Sequence, residues 1–413
     1  MPTLIRPFAG LRPVAGRAAD VAAPPYDVLN SAEARERANG KPYSFLHISK
    51  PEIDLPADIH PYDPAVYAKA AENLAKLRAE GVLVQDEQAC YYVYQLQMGE
   101  HVQTGLVAAA SVADYDTNRI RKHEFTRPDK EDDRVRQIDA LNAQTGPVLL
   151  AYRSDPAVDG ILAQAAAAAP EVDIVADDGI AHRIWVIRDA AVIADITRRF
   201  DAMPALYIAD GHHRSASASR IAAARKAANP NHTGEEAYNY FLSVIFPHAQ
   251  MRILDYNRVV KDLNGRSGAE FLAAIAAAFT IEPSAGQARP AGRGEFGMYL
   301  DGKWYRLRIK PERVPDDPVA RLDVSLLQAN LLEPLLGIQD PRRDARIDFV
   351  GGIRGLNELE KRVNSGEMQV AFALYATPMQ DLMAVADAGE VMPPKSTWFE
   401  PKLADGLVSH LLD

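Results

Sequence analysis

The chain is poor in the residues and patterns by which a function is most directly recognised. It holds one cysteine, Cys90, in 413 residues, which excludes an internal disulfide and suits a reducing compartment. Its alanine-rich runs are short or interrupted by charge, and none resembles the ~18 consecutive apolar residues of a membrane span. The opening MPTLIRPFAG lacks the charged start and continuous apolar stretch of a secretion signal, so a cytoplasmic protein is expected. Positive charge is also in deficit. A formal net charge of −10 argues against a nucleic-acid partner, because a basic surface supplies most of that affinity. The local pairs Arg342-Arg343 and Lys361-Arg362 fit solvated helix faces or small anions. No GxGxxG follows an early strand, GGIRG at 351–355 has the wrong spacing, and there is no Walker A lysine loop and no HExxH. Fixed-period repeats and low-complexity linkers are missing as well.

What is present is enough to fold. A hydrophobic share of 47% with 25% charged residues places the chain among globular rather than disordered sequences, and its length allows two domains or one with large additions. Residues 1–60 are rich in proline and turn formers, with Pro24-Pro25 opening an extended segment before Tyr26-Asp27. Tyr43, Phe45 and His47 alternate as a half-buried strand would. Val66, Ala70, Leu74 and Leu77 predict a helix from Pro64 to Glu80, ended by Gly81. Runs at 90–98 and 105–115 flank Gly99-Glu100 and read as a hairpin. Pro128 opens a turn before a charged helix from about Lys130 to Asn142, and strands are expected at 147–152 and 183–188. A second half begins near residue 240, with an apolar strand at 240–246, a helix at about 267–279, a hairpin around Asp301-Gly302, a helix around 323–335 and a buried strand at 368–376. This alternation predicts a mixed α/β (α+β) architecture. The expected division is an N-terminal region, 1–238, and a C-terminal α+β region, 239–413, the latter either a separate body or a cover over the site.

The densest chemical signal is ALYIADGHHRSASASR at 205–220. Ala205–Ala209 reads as a buried strand, Gly211 permits a tight turn, and a helix follows whose free N–H groups and positive dipole end point back at that turn. That outline suits an anion. Arg214 adds a fork of donors, Ser215 a hydroxyl, and Asp210 is placed to hold a magnesium ion or a substrate hydroxyl. The plainer reading is a strand-to-helix turn whose histidines only cap the helix. Zinc is disfavoured here, because adjacent histidines do not project together as an i, i+4 pair would.

Other strings divide in the same way. In KHEFTRPDKEDDR at 122–134, His123-Glu124 sets a carboxylate beside an imidazole, suited to taking a proton, and Asp129, Glu131, Asp132 and Asp133 offer oxygen ligands. The alternative is an exposed, salt-bridged helix start. In MPPKSTWFEPK at 392–402, Lys395, Ser396 and Thr397 can face nucleotide phosphates, or the prolines simply fix a tail that packs Trp398 and Phe399. Tyr26 and Asp27 line a pocket or belong to a rigid turn. Arg252 and Tyr256-Asn257-Arg258 form a polar wall or tie strands to loops, and His47 is read as a satisfied edge histidine.

The stretch 205–220 resembles the signature of the ParB/sulfiredoxin superfamily, and more closely the Asp-Gly-His-His-Arg box of its free L-serine kinases. Over nearly its full length, from RPFAGLRP at 6–13 and VAAPPYDVLN at 21–30 through KHEFTRPDKEDDR to MPPKSTWFEPK, the chain also resembles the bacterial domain-of-unknown-function 1015 family. The kinase resemblance implies a ParB/sulfiredoxin-like phosphate-binding core with large α/β additions, in which Gly211, His212, His213, Arg214 and Ser215 contact nucleotide phosphates. It extends to an Ile-x-x-His-Glu element, here Ile120 to Glu124. That match implies Glu124 as catalytic base, His123 as its substrate-side neighbour and Asp210 as the metal or hydroxyl contact, although the two elements lie much farther apart here than in the compact pattern. The implied reaction makes O-phospho-L-serine from free serine, with ATP or ADP as donor and Mg2+ as cofactor. Competing readings are a non-catalytic nucleotide-binding switch or scaffold and a metal-dependent phosphohydrolase built on Asp210, His212 and His213.

Overall fold

Eight consecutive buried residues, Tyr240–Pro247, form a strand covered on both faces near the middle of a large sheet, which is why this stretch reads as an unbroken apolar run rather than an alternation. The computed structural model describes residues 3–413; Met1 and Pro2, which open the N-terminal stretch read above, lie outside the described residues. The protein is a mixed α/β molecule that divides into two units, one formed by the chain up to Met251 with Pro401–Asp413, the other by Arg252–Glu400. Residues 238/239, the boundary expected from the sequence, immediately precede the Tyr240–Pro247 strand, so the first sheet claims chain beyond that point.

Among the described residues the first unit carries a nine-stranded sheet in the order Ile120–Arg121, Leu206–Asp210, Val148–Tyr152, Tyr240–Pro247, His101–Ser111, Tyr91–Met98, Ala181–Ile187, Val172–Val175, with Ile5–Arg6 also on His101–Ser111. The hairpin at Gly99-Glu100 is present, with Met98 opposite His101. Two pairings are parallel, Leu206–Asp210 with Ile120–Arg121 and Tyr240–Pro247 with Val148–Tyr152. The first brings the start of the IRKHE string, Ile120 and Arg121, beside the strand that leads into the histidine box. Leu206 and Ile208 enter the main core with Ile120, Leu150 and Phe241, and the helices Pro64–Ala79, Pro128–Leu141 and His212–Ala228 complete the site's surroundings.

In the second unit a six-stranded antiparallel sheet runs Phe279–Ser284, Lys303–Ile309, Glu295–Leu300, Val370–Leu374, Tyr256–Val260, Ile347–Gly351. The turn at Asp301-Gly302 joins two of its strands, with Leu300 opposite Lys303. Trp398 packs edge-on against Tyr256 at 5.2 Å, so the residues flanked by the MPPKST string do anchor it. Asn257 and Arg258 tie strands together: Asn257 accepts the Leu374 N–H at 3.0 Å, and Arg258 donates to the Tyr256 and Lys395 carbonyls.

Three local expectations fail for physical reasons, and a fourth element is irregular. The strand from 105 stops at Ser111, whose hydroxyl accepts the Asp114 N–H at 3.1 Å and starts the short helix Val112–Asp116. Tyr43, Phe45 and His47 do not form a strand; Phe45 precedes the helical turn Leu46–Ser49, and His47 Nδ1 meets Asp54 at 2.8 Å. The helix expected over 267–279 starts at a Ser267/Glu270 capping box but ends at Ile275, and Phe279 opens a strand. The helix expected over 323–335 is present and runs without interruption from Asp323 to Leu336, with a wider π turn, Gln328–Leu332, inside it, just ahead of Pro334, which has no N–H to continue the regular ladder.

Candidate functional site

Strand Leu206–Asp210 ends in Gly211, held at φ 97°, a left-handed conformation that glycine adopts without steric cost. Helix His212–Ala228 starts there with no side chain capping its first turn. The Ser215 N–H closes on the Gly211 carbonyl at 3.0 Å, leaving the N–H groups of the preceding residues directed out of the helix start, as an anion requires.

Arg214 supplies the positive charge. Its guanidinium donates to the Pro147 carbonyl and lies 3.6 Å from Asp27, and a side-chain carbon at Gly146 would come within 3.3 Å of the Arg214 Cδ and one at Gly211 within 3.3 Å of its guanidinium. Those glycines make room for the arginine. Burial opposes its charge, but Asp27 and Asp210 outweigh burial and hold the proton on. Burial alone would raise the Asp210 carboxyl, yet Lys402 and Arg214 keep it well below the usual carboxylate range; Lys402 Nζ is 3.1 Å from Asp210 Oδ2.

The histidines are buried and neutral. His123 and His212 stand edge to face with ring centres 4.5 Å apart. Burial pushes His123 down to about 4 and holds His212 well below its ordinary value. His212 Nε2 accepts the His123 backbone N–H at 3.4 Å, which assigns the His212 proton to Nδ1. That Nδ1 faces the Glu124 carboxylate at 3.8 Å. Neither ring nitrogen of His123 has a hydrogen bond of normal geometry, although the nearby Ile208 backbone favours its charged form slightly. Among the described residues His123, Glu124 and His212 form a group able to hold a metal ion, with ligand atoms within 4.8 Å of one another. His213 is turned elsewhere and accepts the Arg127 N–H at 3.1 Å.

The structure thus brings together most of the residues singled out from the sequence: Asp27 reaches Arg214, and Glu124 and His123 reach His212. Tyr26 lines a small cavity of about 30 Å³ with Arg214, Arg134 and Asp405, and its phenol is pushed up to about 12 by burial. That volume is of the size of a water site. Ser215 is fully buried and spends its hydroxyl on the His212 carbonyl at 3.1 Å. Lys395, Ser396 and Thr397 belong to the second unit, where Ser396 Oγ donates to the Pro393 carbonyl at 2.6 Å and Lys395 lies over Tyr256. The acidic run is taken up by arginines, Asp129 by Arg127, Asp132 by Arg220 and Asp133 by Arg134, the salt-bridged helix start of the plainer reading.

Sequence reasoning missed Arg134, Lys402 and Asp405. Arg134 lies 3.9 Å over the Tyr26 ring. Asp405 is buried with an unpartnered Oδ1, and burial pushes its carboxyl up to about 7 against the pull of Arg214. A signal did exist in Asp405-Gly406, because Gly406 has φ 89° and stands where a side chain would strike Phe45.

The chain belongs to the family described as Protein of unknown function (DUF1015), whose model matches residues 5–325. A search of curated proteins finds no match. Among solved structures the chain is similar to a free serine kinase mutant in complex with AMP, at 13% identity and TM-score 0.36, over 73% of this chain and 92% of that one. It is also similar to a conserved hypothetical protein from Pyrococcus furiosus, at 14% identity and TM-score 0.35 over 73% and 94%. A third is SbnI with a C-terminal truncation from Staphylococcus aureus, at 11% identity and TM-score 0.37 over 73% and 86%. No helix among the described residues is long and apolar enough to cross a membrane.

Proposed function

We propose that this family member is a cytoplasmic small-molecule phosphotransferase with a ParB/sulfiredoxin-like core, most concretely a free L-serine kinase using ATP or ADP. One observation carries the reading: the IRKHE and DGHHR strings, remote in sequence, meet in the fold, with Glu124 Oε2 3.8 Å from His212 Nδ1. Phosphoryl transfer requires anchored phosphates and a group to take the acceptor's proton. In the proposed step the serine oxygen bonds to the terminal phosphorus, whose bond to the bridging oxygen breaks, and the leaving nucleotide keeps that electron pair. Glu124, with its side chain about half exposed, takes the hydroxyl proton. The Gly211 turn and Arg214 hold the transferring phosphate, and His123 and His212 keep Glu124 beside it without carrying charge.

Magnesium does not fit the residues present. Asp210 is ion-paired with Lys402, and the metal-capable group found among the described residues is rich in imidazole, a donor set that suits zinc or a late transition metal better than magnesium. No protein-held magnesium therefore enters the step. The test is to incubate the protein with L-serine and ATP or ADP in magnesium buffer and to follow O-phosphoserine by mass spectrometry. Absence of serine-dependent turnover with both nucleotides removes the kinase.

The same His123, Glu124 and His212 group favours a second reading, a metal-dependent phosphohydrolase. In that case zinc or manganese drives phosphate release from p-nitrophenyl phosphate without serine, and a chelator stops it.

A further inference from the structure

The second unit contains a cavity of about 260 Å³ that is remote in character from the histidine box. Its wall includes three arginines, Arg293, Arg308 and Arg321, two carboxylates, Asp323 and Asp381, and the phenol of Tyr375. Ile309, Val314, Leu322 and Leu326 supply an apolar floor. Two of the arginines are already engaged, Arg293 with Asp381 at 2.7 Å and Arg308 with Glu295. The Arg321 side chain has neither a hydrogen bond nor an ion pair among the described residues, and its charge favours the ionised form of Asp381.

Asp323 is the unusual member. Its Oδ1 accepts the Gly294 N–H at 2.8 Å, while Oδ2 is buried without a partner. Burial, with Asp381 nearby, pushes this carboxyl up to about 7. An unpartnered buried carboxylate oxygen is costly and calls for an explanation. It stands beside a π turn, Gln328–Leu332, where Gln328 Oε1 is also buried and unpartnered; such turns are frequent at functional sites.

We propose that this cavity binds a free zwitterionic α-amino acid with an apolar side chain. Its carboxylate would meet the Arg321 guanidinium, its ammonium the partly exposed Asp323 carboxylate, and its side chain the Ile309, Val314, Leu322 and Leu326 floor. The volume suits a ligand of that size, since pockets for drug-sized molecules begin near 300 Å³. One wall alone would bind a plain anion or a plain amine. Both together in one cavity select a molecule carrying the two charged groups on one carbon.

Calorimetry of the intact protein with L-leucine tests this, with leucinamide, which lacks the carboxylate, and 4-methylpentanoate, which lacks the ammonium, as comparison ligands. Saturable L-leucine binding is expected, with each comparison ligand at least ~10-fold weaker, the effect of losing one charge-assisted hydrogen bond. Arg321→Ala and the isosteric Asp323→Asn should each weaken L-leucine by a similar factor. Because Arg321 is exposed, its removal leaves the fold intact and remains informative if Asp323→Asn does not fold. Arg214→Ala, in the other unit, should leave L-leucine binding unchanged. The proposal is overturned by no saturable binding up to ~10 mM, by binding that survives Arg321→Ala, or by 4-methylpentanoate binding as well as L-leucine.

Discussion

Asp210, at the end of the strand that enters the histidine box, is joined to Lys402 in the returning C-terminal segment by a 3.1 Å ion pair. The pair is partly exposed, so its worth is that of a screened surface bridge rather than of a buried one. Lys402→Met should lower stability by about 1 kcal/mol at neutral pH, read from the urea midpoint. The Asp210 carboxyl is held below its ordinary value, so the contribution is present above about pH 4 and fades as the pH falls further. The gap between Lys402→Met and the parent protein should therefore close in acid. A gap that widens below pH 4 would contradict this assignment.

Two substitutions in the box should fail in different ways. Arg214→Ala removes a buried phosphate partner and should weaken nucleotide binding by roughly 1.5–3 kcal/mol. Glu124→Gln keeps the shape but removes the proton acceptor, so turnover should fall by about 10²–10⁴-fold while nucleotide affinity holds. Calorimetry and phosphoserine formation separate the two effects. Full turnover in Glu124→Gln would remove Glu124 as the base.

The strings that could be read in the sequence were those whose signal is local. Pro64–Ala79 shows its apolar spacing, Met98 and His101 face each other across a two-residue turn, and Gly211 must accept positive φ. Lys402 and Arg134 gave no such signal. A lysine in a proline-rich tail and an arginine in an acidic helix look solvated until the chain returns Lys402 to Asp210 and the fold lays Arg134 over Tyr26. The meeting of Glu124 with His212 depends on the parallel pairing of Ile120 with Leu206, a relation that no local pattern encodes. Ser215 misled for the opposite reason: its position suits a phosphate, but a helix interior offers its hydroxyl a nearer carbonyl.

The buried histidines make the first unit sensitive to acid. His123, His182 and His410 are each pushed down to about 4 by burial. Above pH 6.5 they are neutral in folded and unfolded chains alike. As the pH falls from 6.5 toward 4, the unfolded chain gains protons that the folded one refuses, and stability is lost. For His123 alone the loss is about 3 kcal/mol at one pKa unit per 1.4 kcal/mol. His123→Phe keeps an aromatic ring against His212 without a titrating group, so its urea midpoint should fall less between pH 7.5 and 4.5 than that of the parent. Equal losses in the two proteins would show that His123 does not titrate as its burial requires.

Asp405 carries the opposite sign. Its carboxyl is raised to about 7 because burial outweighs Arg214, so the folded chain keeps a proton that the unfolded chain releases above about pH 4. The destabilisation grows from there and is complete above pH 7. Asp405→Asn keeps the shape without the ionisation and should be more stable than the parent at pH 8, by roughly 2–4 kcal/mol for a shift of this size. At pH 4, where the parent is protonated in the fold, the gain should vanish. A stabilising change of that kind at a site residue is expected to cost function, and weaker nucleotide binding in Asp405→Asn would tie the carboxyl to the placement of Arg214. A gain that persists at pH 4 would show instead that the carboxyl is not the source of the strain.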